Sequence, residues 1–392
     1  MTVLLADPVS EVVAAAEQLL TRRTGAPVTL VDPTDLGGSG RTIVLRVRVA
    51  ENPFSLPRTL VIKQVRDPYL GVKNGVTPPA EAIHVFDPDT AFLREAVSYQ
   101  FANALAKDAR PGAELLAYDL DARLLVLSDL GDATAISVLF QDSDADTVTN
   151  TLMAMAQAMG RMHAATVGRE EDFTALLRRA EVVHSSDEVA DQVARVITDV
   201  PSMLADTLGV VVDPNILEQV HHAQNLFSGG RFRAFSPSDL CPDNIIVNGE
   251  GVRFLDYEWG GYRDALLDIT YALVSFPGCL CNVDLTEERA SAMVDAWRSE
   301  VVGLWPALAD EAELGRGLVE AQLIWVWLST YMFLPNDHSR IAAVREHHLS
   351  IPRSDALLRR WARLARSAEL AGNVAVHDHA NEVVAALRAH AE

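Results

Sequence analysis

The sequence contains little cysteine, little lysine and few positive charges overall. Three cysteines, Cys241, Cys279 and Cys281, stand among 392 residues. Their spacing fits neither a metal-binding pattern nor a disulfide framework, so we expect a reducing, cytoplasmic setting. The net charge is −21, which repels the phosphates of nucleic acids and argues against a nucleic-acid partner. The same acidity is compatible with a cationic small molecule as ligand.

Long apolar runs are also missing. No stretch approaches the roughly 18 apolar residues that a membrane span needs, so we expect no membrane partner. The first residues, MTVLLADPVSEVV, carry acidic rather than basic side chains, which predicts no signal peptide. An apolar content of 49% with 22% charged residues is ordinary for a soluble globular protein. The length allows a sizeable core in two lobes or domains, and the composition favours no particular oligomeric state.

One segment, residues 236–259, holds most of the residues that can do chemistry: SPSDLCPDNIIVNGEGVRFLDYEW. Asp239 is followed five residues later by Asn244. The apolar runs on either side of Asn248-Gly249 predict a β-hairpin that ends on Asp256. Such a hairpin would bring Asp239, Asn244 and Asp256 together. Phosphoryl transfer needs one carboxylate to orient a hydroxyl, and an amide with a second carboxylate to hold Mg²⁺. The alternative is a helix cap at Asp239 and a turn residue at Asp256.

Earlier in the chain, the pattern predicts strands around a glycine-rich turn. Gly38 and Gly40 lie between two β-branched runs, an arrangement that can lay backbone amides over phosphates, although a glycine-rich hairpin alone is non-specific. Lys63 interrupts the next apolar strand, where a lysine is costly unless it is paired; an exposed edge position is the alternative. Glu95 lies in the second turn of the helix predicted over residues 89–106. The Val-Ile-Lys context of Lys63 resembles the third strand of protein kinases, and this resemblance implies Glu95 as the partner of Lys63; a solvated surface charge is the alternative role of Glu95.

These elements resemble the protein-kinase-like phosphotransferases, and among them the aminoglycoside phosphotransferase and choline kinase group. That group carries a His-Gly-Asp-x-x-x-x-Asn loop, and residues 238–244 match its Asp and Asn. Residues 255–259, Leu-Asp-Tyr-Glu-Trp, match the Ile-Asp-Trp/Phe-Glu that follows, and residues 264–269 resemble the group's Asp-Pro-x-x-Asp-Leu. Pro237 stands where the group usually has His, a residue that is mostly architectural in kinases. The resemblance covers most of residues 30–280.

The resemblance implies an α+β, bilobal, protein-kinase-like fold. Residues 1–130 would form a small nucleotide-binding N-lobe with an antiparallel sheet. Residues 131–392 would form a larger, mainly helical C-lobe that carries the catalytic loop and the substrate-binding helices. The implied activity is ATP- and Mg²⁺-dependent transfer of the γ-phosphoryl group to a hydroxyl of a small molecule, with ATP between the lobes. A protein kinase is disfavoured, because the chain lacks the Ala-Pro-Glu segment and an activation loop between Asp256 and Asp268.

The resemblance also implies roles for individual residues. Asp239 would be the catalytic residue, and Asn244 and Asp256 would be the metal ligands. Asp268 would anchor the loop, and His163 would be structural. The residues expected to bind ATP are Gly38, Gly40, Lys63, Glu95, Leu127 and Asp129. The last two would act through backbone groups at the hinge between the lobes.

The candidate acceptor site consists of carboxylates and an aromatic ring close to the metal ligands: Asp243, Glu258, Trp259 and Asp264. Such a set suits an amine or ammonium group, so we expect a hydroxylated acceptor with a positive charge. The alternative is that Glu258 and Asp264 only brace the loop. Antibiotics, choline-like amines, sugars and amino alcohols stay open as acceptors, as does GTP in place of ATP. The alternative function is a catalytically weak pseudokinase that acts as an ATP-binding regulatory module.

Overall fold

The computed structural model describes residues 8–38, 42–50, 56–66, 88–180, 182, 188–277, 283–334 and 351–391. Gly40 and most of the proline- and glycine-containing insertion at 66–88 lie outside this part of the chain. The chain divides into two compact units, one comprising Met1–Asp132 with Ala175–Val183 and the other Ala133–Thr174 with His184–Glu392. An antiparallel sheet in the first and a mainly helical second unit confirm the predicted α+β class. The nucleotide-binding and catalytic roles assigned to the two lobes stay predictions.

The first unit is built on a five-stranded antiparallel sheet in the order β1-β2-β3-β5-β4. Its strands are β1 (Leu30–Gly37), β2 (Thr42–Val49), β3 (Thr59–Val65), β4 (Leu115–Asp119) and β5 (Leu124–Ser128), and its main helices are α1 (Pro8–Thr24) and α2 (Pro88–Asn103). Gly25 ends α1 with a φ of 74°, the left-handed conformation in which glycine commonly terminates helices.

The two faces of this sheet differ because side chains alternate along each strand. One face packs on α1 through a continuous apolar core that includes Val12, Ala16, Leu19, Leu20, Leu45, Val47, Leu60, Ile62 and Val126. The opposite face carries Lys63 in the middle of β3, opposite Val44 of β2 and Leu125 of β5. The face that carries the apolar side chains of the strands therefore packs on α1, and Lys63 lies on the opposite face.

The second unit contains two small antiparallel sheets. One has the order β6-β8-β9 and the other pairs β7 with β10. Their strands are β6 (Ala133–Ala135), β7 (Arg233–Ser236), β8 (Ile245–Asn248), β9 (Gly251–Phe254) and β10 (Gly261–Asp264). Strands β8 and β9 form the hairpin predicted from the Asn-Gly turn, and Asn248 pairs with Gly251 across a two-residue loop.

Helices make up the rest of the second unit. They are α3 (Ile136–Asp142), α4 (Ala145–Thr166), α6 (Glu188–Leu208), α7 (Pro214–Ala223), α8 (Asn225–Ser228), α9 (Leu266–Ser275), α10 (Glu287–Val301), α11 (Glu311–Phe333), α12 (Arg353–Leu370) and α13 (Val374–Ala391). Helix α5 (Glu170–Arg179) is divided between the units, since its residues from Ala175 onward belong to the first unit. Every residue of α9 is buried, as expected of a helix that is apolar on all sides. Among the described helices, none is both long and apolar enough to cross a membrane.

Helices α4 and α10 approach each other closely at Gly160. A Cβ added there would lie 2.8 Å from the backbone oxygen of Trp297, closer than two such atoms can pack. Glycine therefore allows the close contact between the two helices. One turn further along α4, His163 lies beside the Trp297 side chain, with the ring centroids 6.2 Å apart.

Candidate active site

Lys63 and Glu95 form a buried ion pair in the first unit. Lys63 Nζ lies 2.7 Å from Glu95 Oε1, and the two residues are only 6% and 1% exposed. Strand β3 positions the lysine, and α2 brings the glutamate to it. Charges are buried at such positions only when they are paired. The structure therefore brings together the pair that the sequence predicts, while its contact with phosphates stays a prediction.

The backbone of Leu127 lies within the sheet. Val65 N donates to Arg123 O at 3.0 Å, and Leu127 is the register partner of Val61. In an antiparallel ladder, every second register pair is a hydrogen-bonded pair. Leu127 lies four residues beyond Arg123, so its backbone groups point toward Val61 in the same way. The Leu127 carbonyl therefore lies within the ladder, and the hinge contact with adenine, placed at Leu127 and Asp129 to within about one residue, stays a prediction. Backbone groups outside the ladder begin after Ser128.

Asp129 follows β5 and is held by Arg46 from β2. Arg46 Nη2 donates to Asp129 Oδ1 at 3.0 Å and to Gly131 O at 2.7 Å, and Arg46 Nε lies 3.0 Å from Oδ2. Asp129 Oδ1 also accepts from Gly131 N at 3.0 Å. The carboxylate is thus engaged, and a nucleotide contact at Asp129 would involve its backbone. No role was predicted for Arg46 from the sequence. The available signal was a charged residue within an apolar strand, on the same face as Lys63.

The glycine-rich turn is described only at its first position. A Cβ at Gly38 would lie 2.3 Å from Thr42 O, a distance that no side chain can accommodate. The backbone conformation of this turn therefore requires glycine at position 38. The predicted contact of Gly38 with phosphates stays a prediction, and Gly40 is outside the described residues.

In the second unit, hydrogen bonds connect Asn244 both to Asp239 and to Leu255, the residue before Asp256. Asn244 Nδ2 donates to Asp239 O at 3.2 Å. Asn244 O accepts from Leu255 N at 2.8 Å, and Leu255 immediately precedes Asp256. Asp239 in the loop therefore lies close to the start of β8 and to the end of β9, as the predicted hairpin implies. Because the amide nitrogen of Asn244 faces Asp239, its Oδ1 is the atom that can face a cation.

Two residues of this region have left-handed backbone conformations. Ser238 has a φ of 65° and Asp256 a φ of 56°. Positive φ is uncommon for residues other than glycine, costs about 1–3 kcal/mol each, and is concentrated at functional sites. One strained residue directly precedes Asp239 and the other is the proposed metal ligand. The strain is thus located at the residues that the motifs single out.

A chain of buried hydrogen bonds anchors this loop. Asp268, which is 1% exposed, accepts from Ser236 Oγ at 2.6 Å through Oδ1. Its Oδ2 lies 2.9 Å from His163 Nε2, and Trp297 Nε1 donates to His163 Nδ1 at 3.0 Å. Because an indole N–H can only donate, neutral His163 carries its proton on Nε2 and donates it to Asp268. This geometry fits the structural role predicted for His163 and the anchoring role predicted for Asp268.

Asp264 is a brace in this structure. It is 1% exposed, and its Oδ2 accepts from Arg231 N and Phe232 N at 3.0 Å each. Its Oδ1 accepts from Leu266 N at 3.0 Å. Burial raises the pKa of the Asp264 carboxyl, and the three amide hydrogen bonds oppose that rise. We therefore correct its assignment from acceptor binding to the bracing alternative.

The other predicted acceptor residues are accessible. Asp243 is exposed, and Glu258 and Trp259 are partly exposed. The backbone oxygen of Trp259 accepts from Arg263 Nη2 at 2.9 Å, which fixes the turn between β9 and β10. Asp243 precedes Asn244, and Glu258 follows Asp256 by two residues. Both carboxylates are thus next to the proposed metal ligands in the chain.

The donor set is suited to Mg²⁺ only together with phosphates. In the described part of the chain, no group of three or more His, Cys, Asp or Glu side chains could hold a metal ion. Asn244 and Asp256 supply one amide oxygen and one carboxylate. Mg²⁺ is typically bound by one or two carboxylates, substrate phosphates and water. The residues present therefore fit a metal that arrives with a nucleotide.

Comparisons with known proteins find similar solved structures but no match by sequence. No protein-family model matches the chain, and no curated protein matches it. Solved structures similar to it include choline kinases, aminoglycoside phosphotransferases and a putative fructosamine-3-kinase.

A choline/ethanolamine kinase family protein from Mesorhizobium loti has 14% identity and a TM-score of 0.46, with 91% of this chain and 93% of that chain covered. Choline kinase from Cryptosporidium parvum Iowa II has 11% identity and a TM-score of 0.47, with 88% and 91% covered. An aminoglycoside phosphotransferase from Alicyclobacillus acidocaldarius subsp. acidocaldarius DSM 446 has 13% identity and a TM-score of 0.45, with 88% and 93% covered. At this degree of similarity, the chemistry has to be inferred from this chain's own residues.

Proposed function

We propose that the protein is a small-molecule kinase that transfers the γ-phosphoryl group of ATP to a hydroxyl group. The observation that carries this proposal is the hydrogen-bonded arrangement of Asp239, Asn244 and Leu255, which places Asp256 next to Asn244. One carboxylate is then available for the hydroxyl, and an amide oxygen with a second carboxylate for the metal. The buried Lys63–Glu95 pair in the first unit supports the same function.

Each residue has a separate task in this mechanism. Asp239 orients the acceptor hydroxyl and takes up its proton as the oxygen attacks the γ-phosphorus, while the bond from that phosphorus to the β–γ bridging oxygen breaks and ADP leaves. Asn244 Oδ1 and Asp256 would hold Mg²⁺, which, when bound, neutralises charge on the phosphate oxygens. Lys63, kept in place by Glu95, would contact the α- and β-phosphates. Most of the rate enhancement in this chemistry comes from positioning and electrostatics, which agrees with a loop that is anchored in the core.

For the acceptor, we propose a hydroxylated molecule that carries positive charge. Asp243 and Glu258 offer accessible carboxylates beside the proposed metal ligands, and Trp259 offers a partly exposed ring. Charge pairing and cation–π contact both favour an amine or ammonium group. The net charge of −21 attracts a cation at long range, and salt screens that attraction.

Replacement of Asp239 tests the proposed function. The wild-type protein is incubated with ATP, Mg²⁺ and a panel of aminoglycosides, choline-like amines, sugars and amino alcohols, and transfer is followed by ³¹P NMR. We expect Asp239→Asn to lower kcat by about 10²–10⁴-fold and to leave ATP affinity, measured by calorimetry, nearly unchanged. Glu250→Gln, at the exposed tip of the same hairpin, is the matched control and should behave as wild type.

The outcomes separate the kinase from the regulatory alternative. Transfer at the wild-type rate by Asp239→Asn would contradict the role of Asp239. Tight binding of ATP and Mg²⁺ without transfer to any acceptor would instead favour the pseudokinase. GTP in a parallel reaction distinguishes the two nucleotides as phosphate donors.

A further inference from the structure

Ser236 connects the buried Asp268 to the backbone of the catalytic loop. It is the last residue of β7 and is 1% exposed. Its Oγ lies 2.6 Å from Asp268 Oδ1 and accepts from Ser238 N at 3.0 Å. A carboxylate can only accept hydrogen bonds, so the hydroxyl proton points at Asp268 and a lone pair of Oγ receives the Ser238 amide. One hydroxyl thus joins the core to the loop.

Asp268 is held from the opposite side as well. His163 donates to its second oxygen at 2.9 Å, and Trp297 donates to His163 at 3.0 Å. The tight packing of α4 against α10 at Gly160 keeps these rings together. Buried polar networks whose members are all satisfied are rigid and specify a single arrangement. Asp268 is therefore a fixed point to which Ser236 can attach the loop.

The loop needs such an attachment because its backbone is strained at Ser238, where φ is 65°. Asp239 N donates to Pro237 O at 2.9 Å, and Pro237 has no N–H of its own to contribute. The Ser238 amide is held by the Ser236 hydroxyl. Without that hydroxyl, the Ser238 amide and one oxygen of Asp268 lose their partner. The strained backbone can then relax, and Asp239, the next residue, moves with it.

We propose that Ser236 is a positioning residue of the catalytic loop. Its hydroxyl bonds both to Asp268, which is fixed in the core, and to the amide of Ser238, and so holds the backbone that carries Asp239 in place. This inference rests on the proposed function, in which Asp239 meets the acceptor hydroxyl. It also accounts for Pro237 in this chain: the attachment of the loop to the core is made by the preceding side chain and requires nothing from the side chain at position 237.

The test compares two substitutions at Ser236 with a matched control. Ser236→Ala removes the hydroxyl, and we expect kcat to fall by about 10- to 100-fold, the effect of a misplacement near 1 Å. The KM for ATP should stay unchanged, because Ser236 does not meet the nucleotide. Ser236→Thr retains the hydroxyl and should restore kcat. The control, Thr270→Val, removes a buried hydroxyl of α9 that bonds only within its own helix and should leave kcat unchanged.

A second readout is independent of catalysis. Hydrogen exchange of the Ser238 amide should speed up in Ser236→Ala and stay slow in Ser236→Thr and Thr270→Val. If Ser236→Ala does not fold, Ser236→Cys replaces it, since a thiol keeps the volume and donates only weakly.

Failure of this inference can be distinguished from failure of the proposed function. An active wild-type protein with an unchanged kcat in Ser236→Ala overturns the inference and leaves the kinase assignment intact. An equal loss of kcat in Thr270→Val also overturns it, because the loss is then general destabilisation. If the wild-type protein transfers no phosphate, the proposed function fails. The exchange rate of the Ser238 amide then decides the attachment: faster exchange in Ser236→Ala supports it, and unchanged exchange overturns it.

Discussion

Removal of one partner of the Lys63–Glu95 pair should destabilise the protein much more than removal of both. The two side chains are 2.7 Å apart and less than a tenth exposed. At an effective dielectric constant of about 20, their gross attraction is about 6 kcal/mol, most of which offsets the cost of removing both charges from water. Either single variant, Lys63→Met or Glu95→Leu, removes this ion-pair partner from a charge buried in the core. We therefore expect each to lose about 3–5 kcal/mol of unfolding free energy.

The double variant should regain most of that loss. An apolar pair of similar volume needs no partner charge, and such replacements of buried ion pairs are often neutral or stabilising. The double-mutant cycle should therefore give a coupling energy of at least about 3 kcal/mol. As a control, Arg22 and Asp119 form an exposed ion pair in the same unit at 2.6 Å. Arg22→Met should cost less than about 1 kcal/mol, because exposed pairs contribute little.

Urea unfolding followed by circular dichroism measures these differences. A loss of 3 kcal/mol or more corresponds to a shift of at least about 1 M in the urea midpoint. All six tryptophans lie after residue 258, so their fluorescence reports on the second unit and shows whether it unfolds in the same transition. Single variants within about 1 kcal/mol of wild type, or losses that simply add in the double variant, would refute the buried pairing.

Three further predictions concern metal, acceptor and pH. Asp256→Ala should weaken ATP binding only when Mg²⁺ is present. Lys63→Met should weaken it with or without the metal, because the lysine would contact phosphate directly. Calorimetry with and without a chelator distinguishes the effects of the two variants. Glu258→Gln should raise the KM of a cationic acceptor more than it lowers kcat, since the contact stabilises ground and transition states alike. A KM that changes neither in Glu258→Gln nor with salt concentration contradicts the cationic acceptor. Burial lowers the pKa of His379 below its ordinary 6.5, a shift that nearby carboxylates partly oppose. As pH falls, His379 is therefore protonated in the unfolded chain before it is protonated in the folded protein. The stability present above about pH 6.5 is lost as pH falls from 6.5 to the lower folded-state pKa of His379. Unfolding free energies at pH 7.5 and 5.5 should differ less in His379→Phe than in wild type, and equal differences would show that His379 is not the group responsible.

The features that the sequence predicted well are those with a local signal. Strand β3 (Thr59–Val65) and the β8–β9 hairpin follow from apolar runs and turn residues, and the structure has both. The Lys63–Glu95 pair could be predicted because Lys63 is unusual in its strand and its Val-Ile-Lys context resembles the third strand of protein kinases. A lysine within an apolar strand needs a partner, and the next helix offers a glutamate. The roles of these residues toward ATP stay predictions.

The resemblance implies that Asp268 anchors the loop, but the contacts through which it does so could not be predicted, because they have no local pattern. Asp268 contacts Ser236 and His163 across 32 and 105 residues, and His163 contacts Trp297 across 134. A serine at the end of a strand is unremarkable until the fold places a buried carboxylate beside it. The ladder partner of Leu127 depends on strand register, which the apolar pattern alone does not specify. The bracing role of Asp264 depends on two backbone amides more than 30 residues away.

The strain in the catalytic loop and its anchoring in the core explain each other. Positive φ at Ser238 and Asp256 costs together about 2–6 kcal/mol, and a free loop would relax. The Ser236–Asp268 bond on one side and the Asn244–Leu255 bond on the other hold the two strained residues where Asp239 and Asp256 can act. The Ser236–Asp268 bond, to a charged group, contributes about 1.5–3 kcal/mol, and the neutral Asn244–Leu255 backbone bond contributes about 0.5–1.5 kcal/mol. Together they offset much of this strain. A proline at position 237 fits this arrangement, because its φ is already restricted and it leaves no backbone N–H to satisfy.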